Sequence, residues 1–277
     1  MRARVRVLGR SDLEQAMTLL NANPIENLFV LARVATHGLE RLHLGCEVYG
    51  LEGDGQLRAL VHAGSNVVPV NVDQDNVALF AQRIGPLRQA SSIMGNAAQV
   101  RMLWEELSRR GSSWSRVREV RARQPLMAIS GDPLVEGDPR VRVVTMDDFR
   151  AYFTAAVAMY TEEVGVSPME SSGSYRRYMQ ELVSQGRAFG IIENGKVLFK
   201  ADIGAVFGPL CQIQGVWLAP ELRGQRVSVP AMAQVVRLAQ PRYPVQSLYV
   251  NDFNTRARRL YHTVGFETVG EFATVLY

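Results

Sequence analysis

Apolar and polar residues alternate in RVRVLG (residues 4–9) and again in VRVVT (141–145), the period-two pattern of a strand with one covered face. Each run is followed by helix-starting residues. Ser11 and Asp12 precede LEQAMTLL, and Thr145, Asp147 and Asp148 precede FRAYFTAAVAMY. A second helix is expected in each half. In the front half Asn23-Pro24 opens it, with proline at the first helical position; in the back half the serine-rich SSGS precedes YRRYMQELVSQ, which Gly186 closes. Hairpins follow: 44–52 and 56–62 flank Asp54-Gly55, and 188–193 and 196–206 flank Asn194-Gly195, both strong two-residue turn signals. After a further strand each half continues helix, strand, helix, strand. One order of elements therefore occurs twice without evident sequence identity, and the expected class is α+β, a tandem repeat of one fold.

The polar stretch SGDPLVEGDP marks the boundary between the halves. The expected domains are 1–130 and 140–277, joined by a linker at 131–139. A chain of 277 residues, 47% hydrophobic and 21% charged, is ordinary globular composition and long enough for two domains. The net charge of +4 comes from 31 basic and 27 acidic residues, and Lys196 and Lys200 are the only lysines. Arg116, Arg118, Arg121 and Arg123 form the one dense basic run of the front half. They carry no recognised nucleic-acid motif, so no nucleic-acid partner is expected. The N-terminus lacks the apolar region of a secretion signal, and the longest apolar stretch, 197–210, is broken by Lys200 and Asp202, so no membrane span is expected. Cys46 and Cys211 read as buried structural thiols, and His37, His43, His62 and His262 share no metal-ligand spacing with them. A reducing cytoplasm fits, and no metal is implied.

Chemistry concentrates in two stretches of the back half. In QGVWLAPELRGQRVSVPAM (214–232) a strand ends at Leu218, Pro220 blocks its continuation, and Arg223-Gly224 leads into an apolar-periodic helix. A free helix N-terminus in such a turn suits a diphosphate. In LYVNDFNTRARRLYHTVGF (248–266) a strand is followed by a helix capped near Asn254, with Gly265 as its C-cap. Together these resemble the acyl-CoA-binding core of the GNAT superfamily of N-acetyltransferases: Val216 and Pro220, Arg223-Gly224, then Asn254, Ala257, Tyr261, Gly265 and Phe266. The resemblance covers about residues 140–277. It implies two tandem GNAT-like domains, each a mixed, mostly antiparallel sheet flanked by helices. The front copy is degenerate, because it lacks the loop and the Asn and Tyr helix.

The resemblance implies roles residue by residue. Acetyl-CoA, or another acyl-CoA, is the co-substrate. Backbone groups around Val216, Trp217 and Leu218 pair with the pantetheine arm, and one N–H there polarises the thioester carbonyl. The N–H groups of Arg223, Gly224, Gln225, Arg226, Val227 and Ser228 hold the diphosphate, and Asn254 binds the cofactor. Tyr261 protonates the departing thiolate. Two departures stand out: Arg226 replaces the usual second loop glycine, and Ser228 replaces glycine or alanine. Arg226 then either points outward or pairs with a phosphate.

The general base stays open among Glu162, Glu163, Asp202 and a water chain, since Gln214 occupies the position of the family's glutamate and cannot accept a proton. Met159, Tyr160, Tyr178 and Trp217 are candidates for an acceptor pocket. The expected activity is N-acyl transfer to a primary amine, borne by a small molecule or a peptide, by direct attack in a ternary complex. Two rivals are a silent acyl-CoA sensor and an aminoacyl transferase using charged tRNA.

Overall fold

The computed structural model describes residues 4–169 and 173–277. In chain order the first series is β1 (Arg4–Val7), α1 (Leu13–Asn21), α2 (Leu28–His37), α3 (Arg41–Leu44), β2 (Glu47–Gly53), β3 (Gln56–Ala63), β4 (Asn66–Val70), α4 (Val77–Ile84), β5 (Ser92–Asn96), α5 (Ala97–Arg110), α6 (Ser112–Ser115) and β6 (Glu119–Ser130). The second is β7 (Arg142–Val143), α7 (Phe149–Val164), α8 (Ser174–Ser184), β8 (Ala188–Glu193), β9 (Lys196–Phe207), β10 (Leu210–Leu218), α9 (Ser228–Ala239), β11 (Val245–Tyr249), α10 (Thr255–Val264) and β12 (Glu267–Leu276). Apart from the one-turn helices α3 and α6, the second series repeats the first. The chain is two tandem copies of an α+β fold. Asp54 and Gly55 (φ 54° and 77°) and Asn194 and Gly195 (φ 50° and 71°) are all left-handed, as tight hairpin turns require.

The chain forms two compact units. The first runs to Leu126 and takes in Tyr249–Phe253 and Thr268–Tyr277; the second holds Met127–Leu248 and Asn254–Glu267. These limits differ from the expected 1–130 and 140–277. The last strand, β12, belongs to the first unit, where it pairs antiparallel with β5 from Phe272↔Asn96 to Leu276↔Ser92. Local patterning forecasts a strand but not its partner. Residues 131–139 are bonded within the second unit rather than free: the Leu134 N–H donates to the Val264 carbonyl (2.9 Å) and the Asp138 N–H to that of Pro230 (3.0 Å).

In the first unit the strand order is β1-β2-β3-β4-β5-β12, antiparallel except for β4 and β5. Phe80, Leu103, Leu107 and Trp114 cover one face of it. Helix α2 starts at Leu28, not at Pro24, because residues 23–27 close a turn in which the Asn27 N–H reaches the Asn23 carbonyl and Asn27 Nδ2 holds that of Leu20. Arg121 and Arg123 are engaged by Glu119 and Glu271, so these two arginines answer local carboxylates. In the second unit the order is β7-β8-β9-β10-β11 with the end of β6 beyond, antiparallel except for β10 and β11. Phe149, Tyr152 and Phe153 of α7 and Met179 and Leu182 of α8 pack with Ala188 and Val197. Of the expected SSGS segment, Ser171 and Ser172 lie outside the described residues. Among the described residues no helix is long and apolar enough to cross a membrane, and no His, Cys, Asp and Glu group could hold a metal.

His62 on β3 is 2% exposed. Its Nδ1 lies 3.0 Å from the Asn66 carbonyl, and its Nε2 lies 3.2 Å from both Cys46 Sγ and Arg33 Nε. Burial, helped by the Arg33 charge, lowers its pKa to about 4. The unfolded chain therefore takes up a proton from about pH 6.5 downward that the fold refuses until about pH 4. Across that window the first unit is expected to lose up to about 3 kcal/mol of stability. Denaturation followed by fluorescence in a Trp217→Phe background reads this, and His62→Gln should flatten the pH slope. Equal slopes in the two proteins would contradict the account.

Candidate active site

Strands β10 and β11 pair only at Leu210↔Val245, Cys211↔Gln246 and Gln212↔Ser247. Beyond Gln212, β10 continues to Leu218 with β9 along its other edge, where Trp217 faces Lys200 and Leu218 faces Phe199. The edge of β10 that β11 leaves can accept an extended, amide-bearing chain as if it were a further strand. Midway, between Gln214 and Trp217, the register with β9 shifts, and Gly215 takes φ +59°.

Under this bulge lies a charged cluster shut from water. Lys200 is 0% and Asp202 2% exposed. Lys200 Nζ donates to Asp202 Oδ2 (2.6 Å) and to the Gly215 carbonyl (2.8 Å), and the Tyr152 hydroxyl donates to Asp202 Oδ1 (2.6 Å). Both carboxylate oxygens of Asp202 are thus taken, which speaks against its service as a general base. A Cβ on Gly215 would stand 2.7 Å from Asp202 Oδ2 and 2.9 Å from Lys200 Nζ. The sequence pattern marks Lys200 only as a break in an apolar stretch and does not single out Tyr152 or Gly215. The available signal was a lysine and an aspartate two residues apart, hence on one face of a strand that is otherwise apolar.

After the single-turn helix Pro220–Leu222 comes the loop Arg223, Gly224, Gln225, Arg226, Val227 leading into α9 at Ser228. Gly224 has φ +85° and Arg226 φ +61°. Arg226 therefore keeps the left-handed backbone that a glycine there would adopt. The steric cost of about 1–2 kcal/mol is partly offset by the larger entropy that glycine loses on folding. Arg226→Gly is expected to stabilise the second unit by about 0.5–1 kcal/mol, read as a raised denaturation midpoint. A lowered midpoint would mean that the side chain holds the loop. Among the described residues, the N-cap Val227 gives α9 no side-chain cap, whereas Asn254 Oδ1 caps α10 by accepting the Ala257 N–H at 3.1 Å. At the equivalent turn of the first unit, between β4 and α4, Asp73 Oδ1 accepts the N–H groups of Asp75 and Asn76, each at 3.0 Å. The Asp73 carboxylate thus engages the turn that precedes α4.

The end of α7 faces the loop. Arg223 grips Glu162 with both guanidinium nitrogens, Nη1 to Oε1 at 2.7 Å and Nη2 to Oε2 at 2.8 Å, while Trp217 Nε1 lies 3.3 Å from Oε2. The Arg223 hydrogen bonds hold the Glu162 carboxyl below its ordinary range, which makes it a weak base. Tyr261 on α10 is 7% exposed and meets Phe266 edge-on, ring centroids 5.9 Å apart. Burial, then the Glu163 charge, push its phenol well up, so Tyr261 is a proton donor at neutral pH and lies within the field of Glu163. Gln214 Nε2 donates to the Tyr178 hydroxyl at 2.6 Å, and Tyr160 packs on Tyr175 at 5.3 Å. Met159 is buried, its Cε 3.2 Å from where a Gly215 Cβ would stand. Cys211 is fully buried with its thiol pushed up to about 12, which leaves it inert.

A parallel pair that parts beside a bulged strand, a left-handed loop opening α9, and the Asn254 to Phe266 helix are the features that the resemblance to GNAT N-acetyltransferases implies. Residues 147–266 match the model of the acetyltransferase (GNAT) family; all but Tyr249–Phe253 of that stretch lies in the second unit. Residues 46–152 match a domain of unknown function (DUF4081). None of the curated proteins matches the sequence. Among solved structures, a GCN5-related N-acetyltransferase from Sphaerobacter thermophilus is similar over 99% of this chain and 94% of its own, at 15% identity and a TM-score of 0.67. A GNAT-family acetyltransferase from Colwellia psychrerythraea is similar over 99% of both chains, at 11% identity and a TM-score of 0.62. A tandem GNAT protein from the clavulanic acid biosynthesis pathway is similar over 99% of this chain and 98% of its own, at 11% identity and a TM-score of 0.58. At such identities the likeness is one of fold, and it extends over both units.

Proposed function

We propose that the second unit is an N-acyltransferase that takes an acetyl group from acetyl-CoA and passes it to a primary amine by direct attack in a ternary complex. The observation that carries this reading is the edge of β10 left by β11 beyond Gln212, beside the Gly215 bulge and leading to the uncapped α9. Acetyl-CoA supplies the acetyl group as a thioester. Backbone groups of Val216, Trp217 and Leu218 bind its pantetheine arm, and the N–H groups of residues 223–228 bind its diphosphate with the Arg226 guanidinium beside them. The amine nitrogen bonds to the carbonyl carbon as the C–S bond breaks. Tyr261 gives its proton to the leaving sulfur, and the amine's surplus proton leaves to water or toward Glu163, whose charge acts on Tyr261. The first unit is a degenerate copy without the Asn and Tyr helix, and it takes no cofactor.

Release of CoA thiol on mixing the protein and acetyl-CoA with a panel of amines tests this reading. Amine-dependent release supports it. Binding of acetyl-CoA with no release across small amines and N-terminal peptides would instead identify a sensor, the reading that Gln214 favours.

A further inference from the structure

A buried lysine and aspartate are costly to keep, and replacement of such pairs by apolar side chains is often neutral. Their placement is specific. Lys200 Nζ is shared between Asp202 Oδ2 and the carbonyl of Gly215, at the crest of the bulge. Tyr152 fixes Asp202 from below, and the ammonium stands 5.2 Å from the centre of the Tyr152 ring. The described chain contains no cis peptide bond. In a trans peptide the C=O and N–H point in opposite directions, so gripping the Gly215 oxygen aims the Val216 N–H away from the buried cluster. Gly215 at φ +59° is the residue that lets the ammonium come so close, since any Cβ would collide with it.

We propose that Lys200, held by Asp202 and Tyr152, is a positioning residue that locks the Gly215–Val216 peptide so that the Val216 N–H is a fixed donor to the thioester oxygen. This rests on the acyl-transfer reading above. A donor held rigidly before the reaction stabilises developing oxyanion charge without reorganisation, and the stabilisation is largest where water is excluded. The buried pair supplies that rigidity from the side opposite to the ligand.

The test needs no knowledge of the amine. Acetyl-CoA carrying ¹³C at the acetyl carbonyl is bound to the intact chain, and its carbonyl stretch is compared with that in water. In the unaltered protein the stretch moves to lower frequency. In Lys200→Met/Asp202→Asn, which removes both charges and so leaves neither orphaned, roughly half or more of that displacement is lost while affinity changes by less than about threefold. A second measurement covers the case in which the variant fails to fold. In the unaltered protein the Val216 amide proton moves downfield on addition of acetyl-CoA and not of free CoA. A bound carbonyl whose stretch is unshifted, an equal shift in the double variant, or an unmoved Val216 amide would each overturn the proposal. Absence of acetyl-CoA binding to the unaltered protein would instead overturn the acyl-transfer reading beneath it.

Discussion

Gly215→Ala is expected to destabilise the second unit by roughly 3–5 kcal/mol. The left-handed conformation at φ +59° costs an alanine about 1–2 kcal/mol by itself. The larger part comes from the new methyl, 2.7 Å from Asp202 Oδ2, 2.9 Å from Lys200 Nζ and 3.2 Å from Met159 Cε. A flexible side chain at a surface would swing aside. Lys200 and Asp202 are fully enclosed, and separating them strands a charge without water. Calorimetric unfolding of the variant reads the loss directly. A stability within about 0.5 kcal/mol of the parent would mean that the cluster is looser than its hydrogen bonds imply.

Tyr261→Phe is expected to lower turnover tenfold or more and to leave acetyl-CoA affinity nearly unchanged, a cost of at least about 1.4 kcal/mol in the transition state. The phenol is buried and its pKa is raised, so it stays protonated and has a proton to give. Phenylalanine keeps the edge-on contact with Phe266 and removes only the hydroxyl. The comparison is of kcat against the dissociation constant, with whichever amine the panel yields. Unaltered turnover would remove Tyr261 from the reaction; a parallel loss of affinity would make it a binding residue.

Much of this architecture is legible in the chain itself. The two hairpin dipeptides, Asp54-Gly55 and Asn194-Gly195, give the doubled order away, because left-handed pairs of that kind have few other uses. The spacing from Asn254 to Phe266 marks the domain, since one helix must present its cap, its tyrosine and its C-terminal glycine together. What stays hidden is long-range. Residues 267–276 read as a strand, but their pairing with β5 in the first unit depends on residues far away in sequence. Glu162 and Glu163 are adjacent and chemically alike, yet it is Glu162 that Arg223, 61 residues on, clamps. Lys200 reads as an interruption of an apolar run, and its purpose emerges only when the bulge at Gly215 is set above it. Arg226 reads as a defect in the loop, whereas its φ of +61° keeps the glycine conformation.

The most direct test of the account is a calorimetric titration of the intact chain with acetyl-CoA, joined to amide hydrogen exchange. The prediction is one molecule bound per chain, with slowed exchange at residues 213–228 and none at 71–77. No binding, two molecules per chain, or protection confined to the first unit would contradict it.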